Sequence, residues 1–180
     1  MPGRLEAILG APVFVVHRLD QATSGLMLLA LTAPVQRTLN LAFAERRVDK
    51  RYTAVVDGWP ADDEGCIDLP LAADWPNRPR QRVSLDEGKP SQTRWRVLDR
   101  TTAPGAPTVR RTRLALTPIT GRSHQLRVHL AAIGHPIVGD ALYAPRSDAP
   151  VSRLLLHASV LGLKHPLDGR ALNFSSSVPF

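Results

Sequence analysis

Hydrophobic residues occur along the chain in short blocks separated by polar turns, and the length of each block predicts the element it forms. Residues 13–17 and 26–32 are mainly apolar, as buried strands are, and the second block is expected to be central in a sheet. The polar turn between the two blocks is the kind of position at which enzymes keep reactive groups.

Helices are predicted at two places. Thr32 can cap a helix whose first turn accommodates Pro34, and apolar residues then recur at helical spacing. A second helix is predicted after the turn at 120–123, with Gly134 just past its end. Residues 1–12 contain two prolines and two glycines and are expected to form a loop.

Strand patterns separated by turns fill the middle and the end of the chain. Residues 50–56, 93–98, 109–117 and 154–163 have the composition and alternation of strands. The proline in 66–71 predicts an edge strand, because proline cannot donate to a ladder. Repeated hairpins favour antiparallel pairing. The predicted fold class is therefore α+β, with one mixed, mainly antiparallel central sheet and flanking helices.

Length and composition predict a single domain over residues 1–180. The hydrophobic share of 43% is enough for a core. No apolar run approaches the roughly 20 residues of a membrane helix, and the first residues lack a signal pattern. We therefore expect a soluble, cytoplasmic, monomeric protein. The single cysteine, Cys66, excludes a disulfide framework and a cysteine-based metal site.

The charge balance indicates a nucleic-acid partner. Lysine and arginine number 23 against 16 acidic residues, which gives a net charge of +7, and only three of the 23 are lysine. Arginine forms bidentate contacts with phosphate and stacks on bases. A GC-rich genome, which favours arginine codons, is the alternative explanation of the arginine excess.

Three residues are candidates for chemistry, each with a structural alternative. Asp20 lies in the turn between the first two strands and is a nucleophile or base, or else a turn aspartate that caps its own backbone. Tyr52 could stack on a base, or be an ordinary sheet aromatic. Arg122 precedes a helix and could bind an anion or a buried carboxylate, or lie on the surface with no particular partner.

Metal and cofactor sites are not predicted. His124, His129 and His135 are five and six residues apart, which does not put two ligands on one helical face, and no other ligand completes a set. The sequence has no phosphate-binding glycine loop, hydrolase elbow or dinucleotide fingerprint. His17 is expected to be a structural hydrogen-bonding residue or an RNA contact.

Three blocks together resemble one family. They are HRLDQATSGL at 17–26, KRYTAVVDG at 50–58, and GRSHQLRVHL at 121–130 followed by GHPIVGD. Their order and spacing are similar to those of the RluA family of RNA pseudouridine synthases, over about residues 2–180. The loop DWPNRP at 74–79 is most similar to the dual-specificity branch, which is known for uridines in 23S rRNA and in tRNA anticodon stem-loops.

The resemblance implies a role for each matching residue. Asp20 matches the catalytic aspartate, Tyr52 the tyrosine that packs on the target base and is implicated in deprotonating C5, and Arg122 the arginine that pairs with the aspartate. Arg18 matches a residue that enters the RNA stack. The residues expected to contact RNA are His17, Arg18, Lys50, Arg78, Arg80, Arg82, His124, Gln125 and Arg127.

The implied activity is isomerisation of specific uridines to pseudouridine in 23S rRNA, tRNA or both, without metal or cofactor. Attack by Asp20 on C1′ of ribose and attack on C6 of uracil both stay open. The alternative function is a catalytically impaired RNA-binding protein or RNA chaperone of the same fold. Relative to the family, the chain is expected to be short at its N-terminus and to lack one or more strands there.

Overall fold

The structure, a computed structural model, describes residues 2–144 and 151–180. In this part of the chain it has three helices and eleven strands. The helices are α1 (Pro2–Leu9), α2 (Ala33–Ala44) and α3 (Gln125–Ala132). The strands are β1 (Phe14–Val15), β2 (Ser24–Gly25), β3 (Leu29–Ala30), β4 (Asp49–Asp57), β5 (Glu64–Asp68), β6 (Leu71–Ala73), β7 (Gln81–Val83), β8 (Gln92–Ala103), β9 (Ala106–Pro118), β10 (Leu156–Lys164) and β11 (Ala171–Ser175).

The central sheet has the strand order β11-β10-β4-β9-β8-β5, and each neighbouring pair is antiparallel. The short strand β2 adds a parallel pair to β10, where Ser24 lies opposite His157. The predicted α+β class, with a mixed and mainly antiparallel sheet, is therefore confirmed. β5 lies at the edge, as the neighbouring proline predicted.

Two predictions near the N-terminus were wrong. Helix α1 occupies most of the segment expected to be a loop, and Gly10 ends it, with its N–H donating to the Glu6 carbonyl at 2.9 Å. The apolar block at 26–32 contributes only β3, which pairs with β1 in a separate ribbon. Its side chains are apolar because Leu26 and Leu28 pack against the cluster beneath α2, and not because they lie in a central strand.

Helices α2 and α3 cover one face of the central sheet. Lys50, Tyr52 and Ala54 of β4 alternate along the strand and so share a face. Ala54 packs in the hydrophobic cluster that contains residues of α3. Leu161 of β10 lies opposite Lys50 and packs in the cluster that contains residues of α2. A gap between the two helices therefore lies over the Lys50–Tyr52 end of β4.

The turn that carries Asp20 depends on a glycine beside β10. Gly25 has φ +110°, and a Cβ atom there would lie 2.3 Å from the Ala158 carbonyl oxygen. We predict that Gly25→Ala lowers the free energy of unfolding by about 2–3 kcal/mol. The melting temperature should fall by about 5–10 °C.

Gly105→Ala is the matched control for this prediction, because Gly105 has φ +71° but a Cβ atom there would meet no other atom within 4 Å. Its cost should be the backbone strain alone, about 1 kcal/mol. Equal losses of stability in the two variants, measured by thermal unfolding, would show that the close approach to Ala158 does not matter.

Candidate active site

A cleft of about 540 Å³ opens in the gap between α2 and α3. Its walls come from the turn after β1, the C-terminal end of α2, the first half of β4 and the segment that leads into α3. Nine of the predicted site residues line it: His17, Arg18, Asp20, Lys50, Tyr52, Arg122, His124, Gln125 and Arg127. The other three, Arg78, Arg80 and Arg82, belong to the β6–β7 hairpin and are not among the described residues that line the cleft.

Asp20 lies at the start of a tight turn. Its carbonyl accepts a hydrogen bond from the N–H of Thr23 at 2.9 Å, and the chain then enters β2 beside β10. Ser24 fixes this exit, because its hydroxyl contacts Nδ1 of buried His157 at 2.9 Å and accepts from Arg153 at 2.6 Å. The Asp20 side chain, 21% exposed, therefore faces the cleft from an anchored turn.

The arginine that pairs with Asp20 is Arg127, and the expectation of Arg122 in that position was wrong. Nη1 of Arg127 lies 3.5 Å from Oδ2 of Asp20. The guanidinium of Arg122 is exposed and lies 3.5 Å from the Pro90 carbonyl at the rim of the cleft. Arg122 precedes α3, whereas Arg127 projects from within the helix toward the turn that carries Asp20.

Asp140 holds the other edge of the Arg127 guanidinium. Nε and Nη2 of Arg127 donate to the two Asp140 oxygens at 2.8 and 2.7 Å, and both side chains are almost fully buried. Burial opposes ionisation of Asp140, but the bonds from Arg127 and from the N–H groups of Leu142 and Tyr143 outweigh it and lower the Asp140 pKa. The bidentate pair leaves Nη1 as the group directed to Asp20.

Tyr52 projects into the cleft from β4. Burial, and next the negative charge of Asp20, raise the pKa of Tyr52 to about 12. The side chain is therefore a neutral phenol at neutral pH. Burial also lowers the pKa of Lys50, which lies two residues before it on the same face of the strand.

His17 is a structural residue of the cleft wall. Its Nε2 accepts from the Leu28 N–H at 2.9 Å, which ties together the two segments that flank the Asp20 turn, and its ring stacks on Phe43 at 4.6 Å. Burial, and next the positive charge of Lys50, lower the pKa of His17 to about 4. The imidazole is thus neutral, with its proton on Nδ1, and the first of the two predicted roles, structural hydrogen bonding, is the one observed.

Two residues expected to contact RNA are instead buried. The Gln125 amide accepts from Thr120 Oγ1 and from the Arg122 N–H, and it donates to the Gln92 carbonyl at 2.9 Å, so it organises the turn into α3. Arg127 is 6% exposed and bound by two carboxylates. Both side chains line the cleft but are held by protein partners, and RNA contact by either of them stays a prediction.

Asp140 and Tyr143 were not singled out as site residues from the sequence. The Tyr143 hydroxyl accepts from the Gln81 N–H at 2.8 Å and contacts Nδ1 of His124 at 2.7 Å, while its ring lies under Arg127. Two signals were available: Asp140 closes the block GHPIVGD, and Tyr143 is one of only two tyrosines in the chain. The sequence also predicts that residues 145–152 are exposed, and positions 145–150 of that segment lie outside the described residues.

Comparison with known proteins identifies the family. Residues 9–132 match the family described as RNA pseudouridylate synthase. The chain belongs to this family. The dual-specificity RNA pseudouridine synthase RluA of Escherichia coli K12 is 49% identical over 166 residues, which are 92% of this chain and 73% of that protein. The protein of the same name in Yersinia pestis is 50% identical over 92% of this chain and 78% of its own length.

Solved structures agree with this assignment. Human RNA pseudouridylate synthase domain containing 1 is 32% identical and superposes with a TM-score of 0.83, over 98% of this chain and 73% of that chain. Human RNA pseudouridylate synthase domain containing 4 is 27% identical, with a TM-score of 0.78 over 99% of this chain and 77% of its own. The protein is thus an isomerase that acts on RNA, as predicted, and these relatives do not support the non-catalytic alternative.

Within the described residues of this pseudouridine synthase, no group of three or more histidines, cysteines and acidic residues could hold a metal ion. Over the same residues, none of the helices is long and apolar enough to cross a membrane.

Proposed function

We propose that this pseudouridine synthase isomerises specific uridines in 23S rRNA, in tRNA anticodon stem-loops or in both, at the cleft that contains Asp20. We expect it to act in the cytoplasm as a monomer. The observation that supports the proposal most strongly is the convergence of Asp20, Tyr52 and Arg127 in one cleft, with the Asp20–Arg127 contact at 3.5 Å.

The charge of the cleft suits an RNA strand. Arg18, Arg46, Lys50 and Arg122 line it together with Asp20, and the three arginines are exposed. Phosphate groups are attracted by such side chains whatever the base sequence. The basic segment at 78–82, which belongs to the β6–β7 hairpin, adds positive charge outside the cleft. The basic segment at 109–113 includes residues that pair with the end of β4 opposite the cleft, and Arg111 within it is buried. The cleft can therefore receive a nucleotide while neighbouring cations hold the strand.

A uridine must leave its stack to reach Asp20, which costs a few kcal/mol. We propose that the Arg18 side chain fills the gap that the uridine leaves in the base stack, and that the Tyr52 ring stacks on the extruded uracil. Asp20 then attacks C1′ or C6 and the N1–C1′ bond breaks. The base turns, C5 bonds to C1′, and the bond between Asp20 and the nucleotide breaks, which regenerates the carboxylate. The C5 proton leaves and N1 gains a proton, so that product and substrate are isomers.

The protonation state of Tyr52 restricts how the C5 proton can leave. A neutral phenol with a pKa of about 12 can accept a proton only if its own proton passes to another base. The group in the cleft whose negative charge raises the pKa of Tyr52 is Asp20. We propose that Asp20, once released from the nucleotide, takes the phenolic proton as Tyr52 takes the proton from C5.

Tyr52→Phe separates stacking from proton transfer. The variant keeps the ring but lacks the hydroxyl, so we predict a fall in kcat of roughly 100-fold with KM within about threefold of wild type. Steady-state kinetics with a substrate RNA measure both. A kcat close to that of wild type would show that the hydroxyl takes no part in deprotonating C5.

The substrate proposal is tested with wild-type protein and two RNAs tritiated at C5 of uridine, an anticodon stem-loop and a 23S rRNA fragment. Pseudouridine formation releases tritium, and sequencing of the modified RNA locates the product. Fully paired duplexes of the same sequences are the controls, because extrusion of a base from a duplex costs more. Binding of both RNAs without tritium release would overturn the proposal in favour of a non-catalytic RNA-binding protein.

A further inference from the structure

The β6–β7 hairpin is attached to the wall of the cleft at two points. Gln81 of the hairpin donates to the Tyr143 hydroxyl, which also contacts His124 of the cleft at 2.7 Å. On the other side, Leu71 exchanges two backbone hydrogen bonds with Lys89, and the next residue after Lys89 accepts from Arg122. The hairpin is therefore a fixed extension of the cleft wall on the α3 side.

Trp75 lies at the end of this hairpin and is 66% exposed. It belongs to a short 3₁₀ turn, Trp75–Asn77. The turn is rigid, because the Asn77 amide donates to both oxygens of Asp74 at 3.1 Å and the Asn77 carbonyl accepts from the Arg80 N–H at 3.0 Å. An indole held in this way outside the core presents a preformed flat surface to solvent.

The surroundings of Trp75 are cationic. The Arg78 guanidinium lies 3.6 Å from the centre of the indole ring, over one face. Arg80 lies over the Tyr143 ring and donates to the Leu142 carbonyl, so it anchors the same hairpin to the cleft wall. Aromatic rings beside arginines favour a base and its phosphate over an apolar protein surface.

We propose that Trp75 is a stacking platform for an unpaired base of the RNA substrate, outside the cleft that receives the target uridine, with Arg78 contacting the adjacent phosphate. This inference rests on the proposed function, because it requires that RNA enters the cleft. The indole is two-thirds exposed with one face covered by Arg78, and its other face is available for the base. Stacking there binds RNA in the ground state and does not touch the reacting atoms.

The test compares Trp75→Ala and Trp75→Phe with Trp59→Ala. Trp59 is a matched control, since it is 42% exposed and lies under Arg110 at 4.6 Å. It follows the C-terminal end of β4, whereas the cleft lies over the N-terminal end, at Lys50. The Kd for labelled anticodon stem-loop and 23S rRNA fragment is measured by fluorescence anisotropy at one fixed salt concentration, and kcat by tritium release.

Trp75→Ala should raise Kd roughly 5- to 100-fold for the RNA that is modified, because base–aromatic stacking has that magnitude. Its kcat should stay within about twofold of wild type, Trp75→Phe should retain most of the affinity, and Trp59→Ala should bind as wild type does. Any one of three results would overturn the inference. The Kd of Trp75→Ala could lie within twofold of wild type, Trp59→Ala could lose as much RNA affinity as Trp75→Ala, or the wild type could bind neither RNA. Binding without tritium release would overturn the proposed function, while the ratio of Kd values would still decide the role of Trp75.

Discussion

Replacement of Asp20 by asparagine should lower the rate of pseudouridine formation roughly 10⁴-fold or more, because an uncharged amide cannot attack C1′ or C6 as a carboxylate does. The isosteric side chain still fits the turn, since the backbone bond from Thr23 to the Asp20 carbonyl is unaffected. Single-turnover tritium release with excess enzyme measures the chemical step without interference from product release.

Folding and RNA binding should survive this change. Among the described residues the Asp20 side chain forms one ion pair, at 3.5 Å to Arg127, and that arginine keeps its bidentate partner Asp140. We therefore expect the melting temperature to be nearly that of wild type and the Kd for RNA to lie within about threefold. Asp168→Asn, in an exposed turn far along the chain, should retain full activity. Conversion by Asp20→Asn at more than a tenth of the wild-type rate would contradict the assignment of Asp20 as nucleophile.

Local patterns in the sequence predicted the elements whose formation depends on neighbouring residues. Thr32 caps α2 as expected, accepting from the Val35 N–H at 3.4 Å. The segments predicted as strands at 50–56, 93–98 and 109–117 became β4, β8 and β9, and the turn predicted between the first two apolar blocks carries Asp20. Such features were accessible because capping and alternation are determined within a few residues.

The identity of the arginine beside Asp20 could not be predicted in this way. The sequence offered Arg122 at the start of the helix and Arg127 within it, five residues apart. An amphipathic helix would present Arg127 to solvent or to RNA. In the structure every residue from Gln125 to Leu130 is buried, so α3 has no polar outer face in this stretch, and the side chain pairs with Asp20 and Asp140. Those partners lie 107 and 13 residues away in the chain, and only the tertiary fold brings them together.

The short strands near the N-terminus show the same limit. The apolar character of residues 26–32 was read as burial in a central strand, but Ala30 alone is fully buried in this block, the leucines at 26, 28 and 29 are half-buried, and Leu31 is 59% exposed. β2 and β3 are each two residues long, and the leucines of this block pack beneath α2 instead of extending a ladder. The backbone N–H of Leu28 donates to His17, a side chain, where a strand would use a neighbouring carbonyl. Packing against a helix and pairing in a sheet select the same apolar residues.

Replacement of Arg127 by glutamine should lower kcat roughly 10³-fold, whereas Arg122→Gln should change kcat by less than about threefold. Arg127 supplies the cation beside Asp20, and the exposed guanidinium of Arg122 is positioned to contact RNA, so its loss should appear in KM. Tritium release with a substrate RNA separates the two parameters. A larger fall in kcat for Arg122→Gln than for Arg127→Gln would restore the original assignment from the resemblance.

Loss of stability must be separated from loss of catalysis in Arg127→Gln, because the variant leaves the buried Asp140 carboxylate without its cation. Breaking such a pair costs about 3–5 kcal/mol. The double variant Arg127→Gln/Asp140→Asn removes both charges, and we expect it to regain much of the melting temperature while kcat stays low. Recovery of activity together with stability would show that Arg127 only supports the fold. Continued inactivity of a stable double variant would show that Asp20 needs the cation that Asp140 holds in place.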